Sequence, residues 1–78
     1  MINMQEFVKE FNEEYNFIYG ANKQGKYVAG FDEALEYFDS NRTAEETEIL
    51  KEFIKHRGDF VSSDREVAAF MFTLDKFI

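Results

Sequence analysis

The chain has 78 residues, a formal net charge of −7, ten Phe and four Tyr, and no Cys, Pro or Trp. This length indicates a single domain over residues 1–78, and the aromatic side chains supply the large core residues that so short a chain needs. The composition excludes disulfides and cysteine zinc sites, and the negative charge argues against direct binding of nucleic acid or anionic membranes.

The first predicted element is a helix over residues 4–15. Asn3 and Glu6 resemble a capping box at its start, with Asn in place of Ser or Thr. Its apolar residues recur at the spacing of one helical face, and they are Met4, Phe7, Val8, Phe11 and Tyr15.

Residues 16–30 favour a β-hairpin. Aromatic and β-branched residues in 16–21 and 26–30 flank the polar tetrapeptide 22–25, which ends in Gly25. The alternative interpretation continues the first helix to Tyr19 and places Gly20 just after its end. On the hairpin, Tyr19 and Tyr27 are candidates for exposed contact residues.

Three further helices are predicted after the hairpin. Helix 2 covers residues 31–40, helix 3 follows the capping box of Thr43 and ends before Gly58, and helix 4 follows a similar box at Ser63. The predicted fold is therefore mainly α, with four short helices around one aromatic-rich core and a small hairpin between helices 1 and 2.

Carboxylates form a row on each of the first three helices. Members of a row are three or four residues apart, so they share one helix face away from the apolar residues. Such neighbours repel, and helix stability alone would favour alternation with lysine. The nine residues are Glu6, Glu10 and Glu13 on helix 1, Asp32, Glu36 and Asp39 on helix 2, and Glu45, Glu48 and Glu52 on helix 3.

These rows predict a binding function based on charge. Aligned carboxylates are a sparse imitation of the phosphates along a nucleic-acid strand. We therefore expect a non-enzymatic inhibitor or modulator that docks on the basic surface of a nucleic-acid-handling protein. In size and charge alone the chain resembles phage counter-defence proteins and bacterial immunity proteins. The simpler interpretation is a solvated acidic surface that keeps the protein soluble.

A second hypothesis assigns binding to aromatic side chains. Phe72 lies off the apolar stripe of helix 4 and Tyr37 lies at the edge of the stripe of helix 2, where they would anchor a protein partner or a second copy in a homodimer. Acidity would then serve solubility only. If helix 4 is instead buried on two sides, Phe72 belongs to the core.

The sequence predicts no enzyme, no catalytic residue, no metal site and no cofactor. His56 is the only histidine, and it lies where a cation favours the end of helix 3. Glu52 lies one turn before it, but no motif supplies further ligands. The first residues lack the regions of a secretory signal, and the longest apolar run, 67–72, is far too short to span a membrane. We therefore expect a cytoplasmic protein.

Overall fold

The computed structural model describes residues 2–60 and 62–78, which form four α-helices and contain no β-strand. Helix α1 spans Met4–Lys23, α2 Phe31–Ser40, α3 Ala44–Arg57 and α4 Asp64–Phe77. The predicted mainly helical fold, its four helices and its aromatic core are confirmed. The predicted hairpin is wrong.

Helix α1 continues through the residues that were expected to form the first strand. Ile18 is fully buried because it extends the apolar face that Phe7 and Phe11 begin. The helix passes Gly20 and ends at Lys23. Helical periodicity over five turns thus outweighs the β-propensity of the aromatic and β-branched residues at 17–19.

The polar tetrapeptide closes this helix instead of joining two strands. Gly25 has a φ of +69°, and its N–H donates to the carbonyl of Asn22 at 3.1 Å. The next N–H, of Lys26, donates to the carbonyl of Ala21 at 2.9 Å. This pair of bonds is a Schellman cap. Residues 26–30 then form an irregular connection to α2.

Helix α4 lies at the centre of the fold, between α1 and α2, while α3 packs against α1. Helix α4 runs antiparallel to α1. The Phe77 ring at its end lies 5.3 Å from the Phe7 ring near the start of α1, and the Arg65 guanidinium at its start lies 5.0 Å from the Tyr19 ring. Residues 66–71, 73 and 74 are all buried. The buried Thr73 hydroxyl donates a hydrogen bond to the Ala69 carbonyl at 2.7 Å, so this polar group has a partner inside the core.

Four phenylalanines join α1, α3 and α4 in one cluster. Phe7, Phe11, Phe53 and Phe70 are each at most 1% exposed. The ring of Phe53 lies 4.8–5.6 Å from the other three, at tilted or edge-on angles. Such pairs contribute about 0.5–1.5 kcal/mol each beyond the area they bury. The cluster holds α3 on the rest of the fold.

Candidate partner-binding surface

One of the three carboxylates in the α1 row makes contacts within the fold, and the other two face solvent. Glu6 and Glu13 are exposed, but Glu10 is half-buried and accepts a hydrogen bond from the Lys76 ammonium at 2.9 Å. This bond holds the pKa of the Glu10 carboxyl below its ordinary value of 4.5. Lys76 also lies 3.3 Å from Glu14, and these contacts raise the pKa of the Lys76 ammonium above 10.5. Glu10 therefore ties α1 to α4.

The row of α2 is open to solvent along its whole length. Asp32, Glu36 and Asp39 are all exposed. The opposite side of α2 packs on α4 through the buried Ala34 and the half-buried Leu35. Asp32 and the neighbouring Glu33 also lie in the first turn, where the helix dipole favours negative charge.

The row of α3 meets α1 across a cleft. Glu45, Glu48 and Glu52 are exposed, and Glu48 lies 3.3 Å from Lys51 in a pair whose side chains are mostly in water. Glu6 of α1 lines the same cleft, so one carboxylate of the α1 row joins the whole α3 row there. We call this the α1–α3 cleft. Its volume is about 700 Å³, and its lining comprises Ile2, Asn3, Met4, Glu6, Glu45, Glu48, Ile49, Glu52, Phe77 and Ile78.

Tyr37, a predicted interface anchor, is half-buried and donates a hydrogen bond to Glu46 at 2.9 Å. This bond raises the pKa of the Tyr37 hydroxyl above 10. Partial burial alone would raise the pKa of Glu46, but the N–H of Thr43 and the Tyr37 hydroxyl both donate to it, so its pKa lies below 4.5. The Thr43 capping box at α3 is thereby linked to α2.

Phe72, the other predicted anchor, is half-buried and lies over the connection to α2. One edge of its ring reaches within 3.6 Å of the place where a Cβ on Gly30 would stand. It packs against the core together with Tyr37. Phe72 therefore belongs with the core, as the sequence indicated for a helix 4 that is buried on two sides, whereas the contact of Tyr37 with Glu46 was not expected from sequence spacing.

The most exposed aromatic side chains lie elsewhere. Tyr27 is 71% and Phe17 62% exposed, while Tyr19 is 41% exposed and its ring is in contact with the cations of both Arg65 and Lys23. Tyr19 and Tyr27 were candidates from the sequence, although on a hairpin that does not form. Phe17 was missed. Helical spacing could have identified it, because Phe17 follows the exposed Glu13 by four residues and so lies on the same face of the longer α1.

The described part of the chain contains neither a cluster of metal-ligating side chains nor a helix that could cross a membrane. Within residues 2–60 and 62–78, His, Asp and Glu side chains do not gather in any group of three or more that would hold a metal ion. No helix of these residues combines the length and the apolar character that crossing a membrane requires.

Comparisons of the chain with protein-family models, with curated proteins and with solved structures find no match.

Proposed function

We propose that this protein is a non-enzymatic modulator that docks its acidic surface on the basic, nucleic-acid-binding surface of another protein. The observation that supports the proposal is the exposure of eight of the nine row carboxylates, with Glu10 the exception. Among the residues that the structure describes, lysines pair with two of the nine, Glu10 and Glu48. The remaining charges are available to a cationic partner.

The physical basis is competition for the groove that a polynucleotide occupies. Helical neighbours at this spacing have Cβ atoms about 5–6 Å apart, so each row presents a line of negative charge at a spacing of the same order as phosphates. A surface lined with Lys and Arg binds such a line by releasing counterions and by long-range attraction. Binding of this kind involves no reaction and needs no cofactor.

Recovery of partners from a lysate at low and high salt tests the proposal. We expect a nucleic-acid-binding protein whose association weakens steeply with salt and is displaced by added duplex DNA or RNA. A partner that stays bound at high salt, or that nucleic acid does not displace, contradicts the proposal.

A matched pair of variants separates aligned charge from net charge. The first variant combines Glu13→Gln, Glu36→Gln and Glu52→Gln, which removes one exposed carboxylate from each row. Glu10 is left intact because its loss would also break the contact with Lys76. The second variant places lysine at three exposed sites outside the rows, and its changes are Asn22→Lys, Gln24→Lys and Ser62→Lys. Both change the net charge equally, and we expect only the first to lose the partner.

The exposed aromatics favour a second candidate function, a small regulatory or scaffold protein that binds a partner or itself. Tyr27 and Phe17 are more exposed than Tyr37 or Phe72, so they are the better anchors for such an interface. This candidate predicts association that tolerates high salt and is lost on Phe17→Ser or Tyr27→Ser. Sedimentation of the purified protein over a concentration series measures the self-association.

A further inference from the structure

The α1–α3 cleft combines an apolar floor with an acidic rim. Five apolar side chains from three parts of the chain, the start of α1, α3 and the C-terminal end of α4, line the cleft and are called its floor, and Ile78 among them is 67% exposed. The floor residues are Ile2, Met4, Ile49, Phe77 and Ile78. A volume of about 700 Å³ lies within the range of sites that take several side chains or a small ligand. The floor is accessible from solvent.

Four carboxylates, one from α1 and three from α3, line the same cleft and are called its rim. They are Glu6, Glu45, Glu48 and Glu52, and all are exposed. Lys51 lies beside Glu48, but the two side chains are 66% and 70% exposed, so solvent largely screens their attraction. The rim therefore carries an excess of negative charge.

The charge complementarity determines which ligand fits. An uncharged apolar ligand would cover the floor but would strip water from the rim carboxylates without replacing it. An anionic ligand would be repelled. A segment with an apolar side chain between lysines or arginines fits both the floor and the rim. The aliphatic stems of the Lys or Arg side chains cover apolar surface, while their charged ends reach the rim carboxylates.

We propose that the α1–α3 cleft binds a basic amphipathic segment of the partner protein, with an apolar side chain on the floor and flanking Lys or Arg side chains on the rim. The inference rests on the proposed function, which supplies a cationic partner. It adds that the partner is recognised at this site by an apolar contact as well as by charge. The α2 row, on a helix that packs against α4, lies outside this site.

A titration with synthetic peptides tests the cleft directly. The probe is a short peptide in which leucines at helical spacing are flanked by lysines. Its binding is monitored by NMR of the methyl groups of Ile49, Ile78 and Met4 in the protein. We expect saturable shifts at these methyls. A peptide of equal charge with asparagine in place of each leucine should bind roughly 10-fold or more weakly, because burial of one such side chain is worth a factor of this order. Equal binding of both peptides overturns the inference.

Matched variants of the protein locate the site. Glu45→Gln with Glu52→Gln removes two rim carboxylates, and Asp32→Asn with Asp39→Asn removes two exposed carboxylates from α2. The rim variant should weaken peptide binding roughly 2- to 30-fold, while the α2 variant should change it less than about 2-fold. Ile78→Asn should also weaken binding, and the fold tolerates it because this side chain is mostly exposed. Equal effects of the rim and α2 variants overturn the inference.

The peptide titration tests the cleft and the lysate experiment tests the proposed function, so their failures can be told apart. If the peptide does not bind the cleft but the lysate partner is still displaced by DNA, the cleft assignment is wrong and the proposed function stands. If the peptide binds at the cleft but the recovered partner does not handle nucleic acid, the proposed function is wrong and the cleft assignment stands.

Discussion

At the scale of single residues, Arg57 connects the end of α3 to the start of α4 through an ion pair with Glu66. Its Nη1 atom lies 2.8 Å from Oε1 of Glu66, and its guanidinium carbon lies 4.9 Å from the centre of the Phe11 ring. The two charged side chains are 27% and 9% exposed. A partly buried pair of this kind matters to stability mainly because removal of one charge leaves the other in a poorly solvated place.

We predict that Arg57→Met lowers the free energy of unfolding by roughly 1–3 kcal/mol, since the positive charge paired with a buried carboxylate is lost. Arg57→Lys should be intermediate because lysine keeps the charge but not the guanidinium group that lies over the Phe11 ring. Urea unfolding followed by circular dichroism measures both.

Lys51→Met is the control for this prediction. Its ion pair with Glu48 is exposed, so we expect a change below about 0.5 kcal/mol. An effect of Lys51→Met as large as that of Arg57→Met would show that the ion pair at Arg57 has no special role.

At the scale of elements, the end of α1 distinguishes two glycines that look alike in sequence. Gly20 lies inside the helix, with nothing within 4 Å of the place where a Cβ would stand. Gly25 lies at the cap with a φ of +69°, a conformation that L-residues adopt only with strain. The two positions therefore respond to alanine in opposite directions.

We predict that Gly20→Ala raises the free energy of unfolding by about 0.5–1 kcal/mol and that Gly25→Ala lowers it by about 1 kcal/mol. The first gain comes from helix propensity and from a less flexible unfolded chain. Thermal unfolding and helical content by circular dichroism check both variants. A loss of stability in Gly20→Ala would contradict the continuation of α1 beyond Tyr19.

At the scale of the whole molecule, charge acts in two opposing ways. The exposed carboxylates repel one another in a protein of net charge −7, which destabilises the compact state. Glu10 and Glu46 act in the other direction, since Lys76 holds the first and the Thr43 N–H and the Tyr37 hydroxyl hold the second. Both of these carboxyls have a pKa below 4.5 in the folded protein.

The pH dependence follows from the sign of these shifts. A carboxyl whose pKa is lowered by folding contributes stability that is fully present above its unfolded pKa and is lost as the pH falls through the folded value. The contribution of Glu10 and Glu46 is therefore present at neutral pH and lost below about 4.5. Lys76, whose pKa is raised, loses its contribution only as the pH rises above 10.5.

We predict that the stability difference between the natural protein and a Glu10→Gln, Glu46→Gln variant is largest at neutral pH and shrinks below pH 4.5. Because both proteins carry nearly the same exposed carboxylates, the contribution of charge repulsion to stability largely cancels in this difference. Thermal midpoints over a pH series measure it. A Glu36→Gln, Asp39→Asn variant removes the same charge without these contacts, and if it shows the same pH-dependent difference, the assignment to Glu10 and Glu46 is wrong.

Local signals predicted a large part of the helical pattern. Helix α2 occupies the expected residues 31–40, and the Thr43 capping box forms with both of its bonds. These features depend on residues three or four positions apart, which interact in nearly any helical context. The end of α1 was missed because aromatic residues before Gly20 are equally compatible with a strand. Only packing of Ile18 in the core decides for the helix.

The sequence alone determined the helical periodicity, the caps at the start of α1, α3 and α4, and the outward direction of eight of the nine row carboxylates, because each depends on spacing within one helix. The aromatic composition predicted the core. Tertiary structure decided which distant residues meet. Lys76 reaches Glu10 across 66 positions, Tyr37 reaches Glu46, and Glu6 joins the α3 row at a cleft. These contacts depend on how α1, α3 and α4 pack, and helix packing is set by the shape of the whole core rather than by the pattern of any one helix.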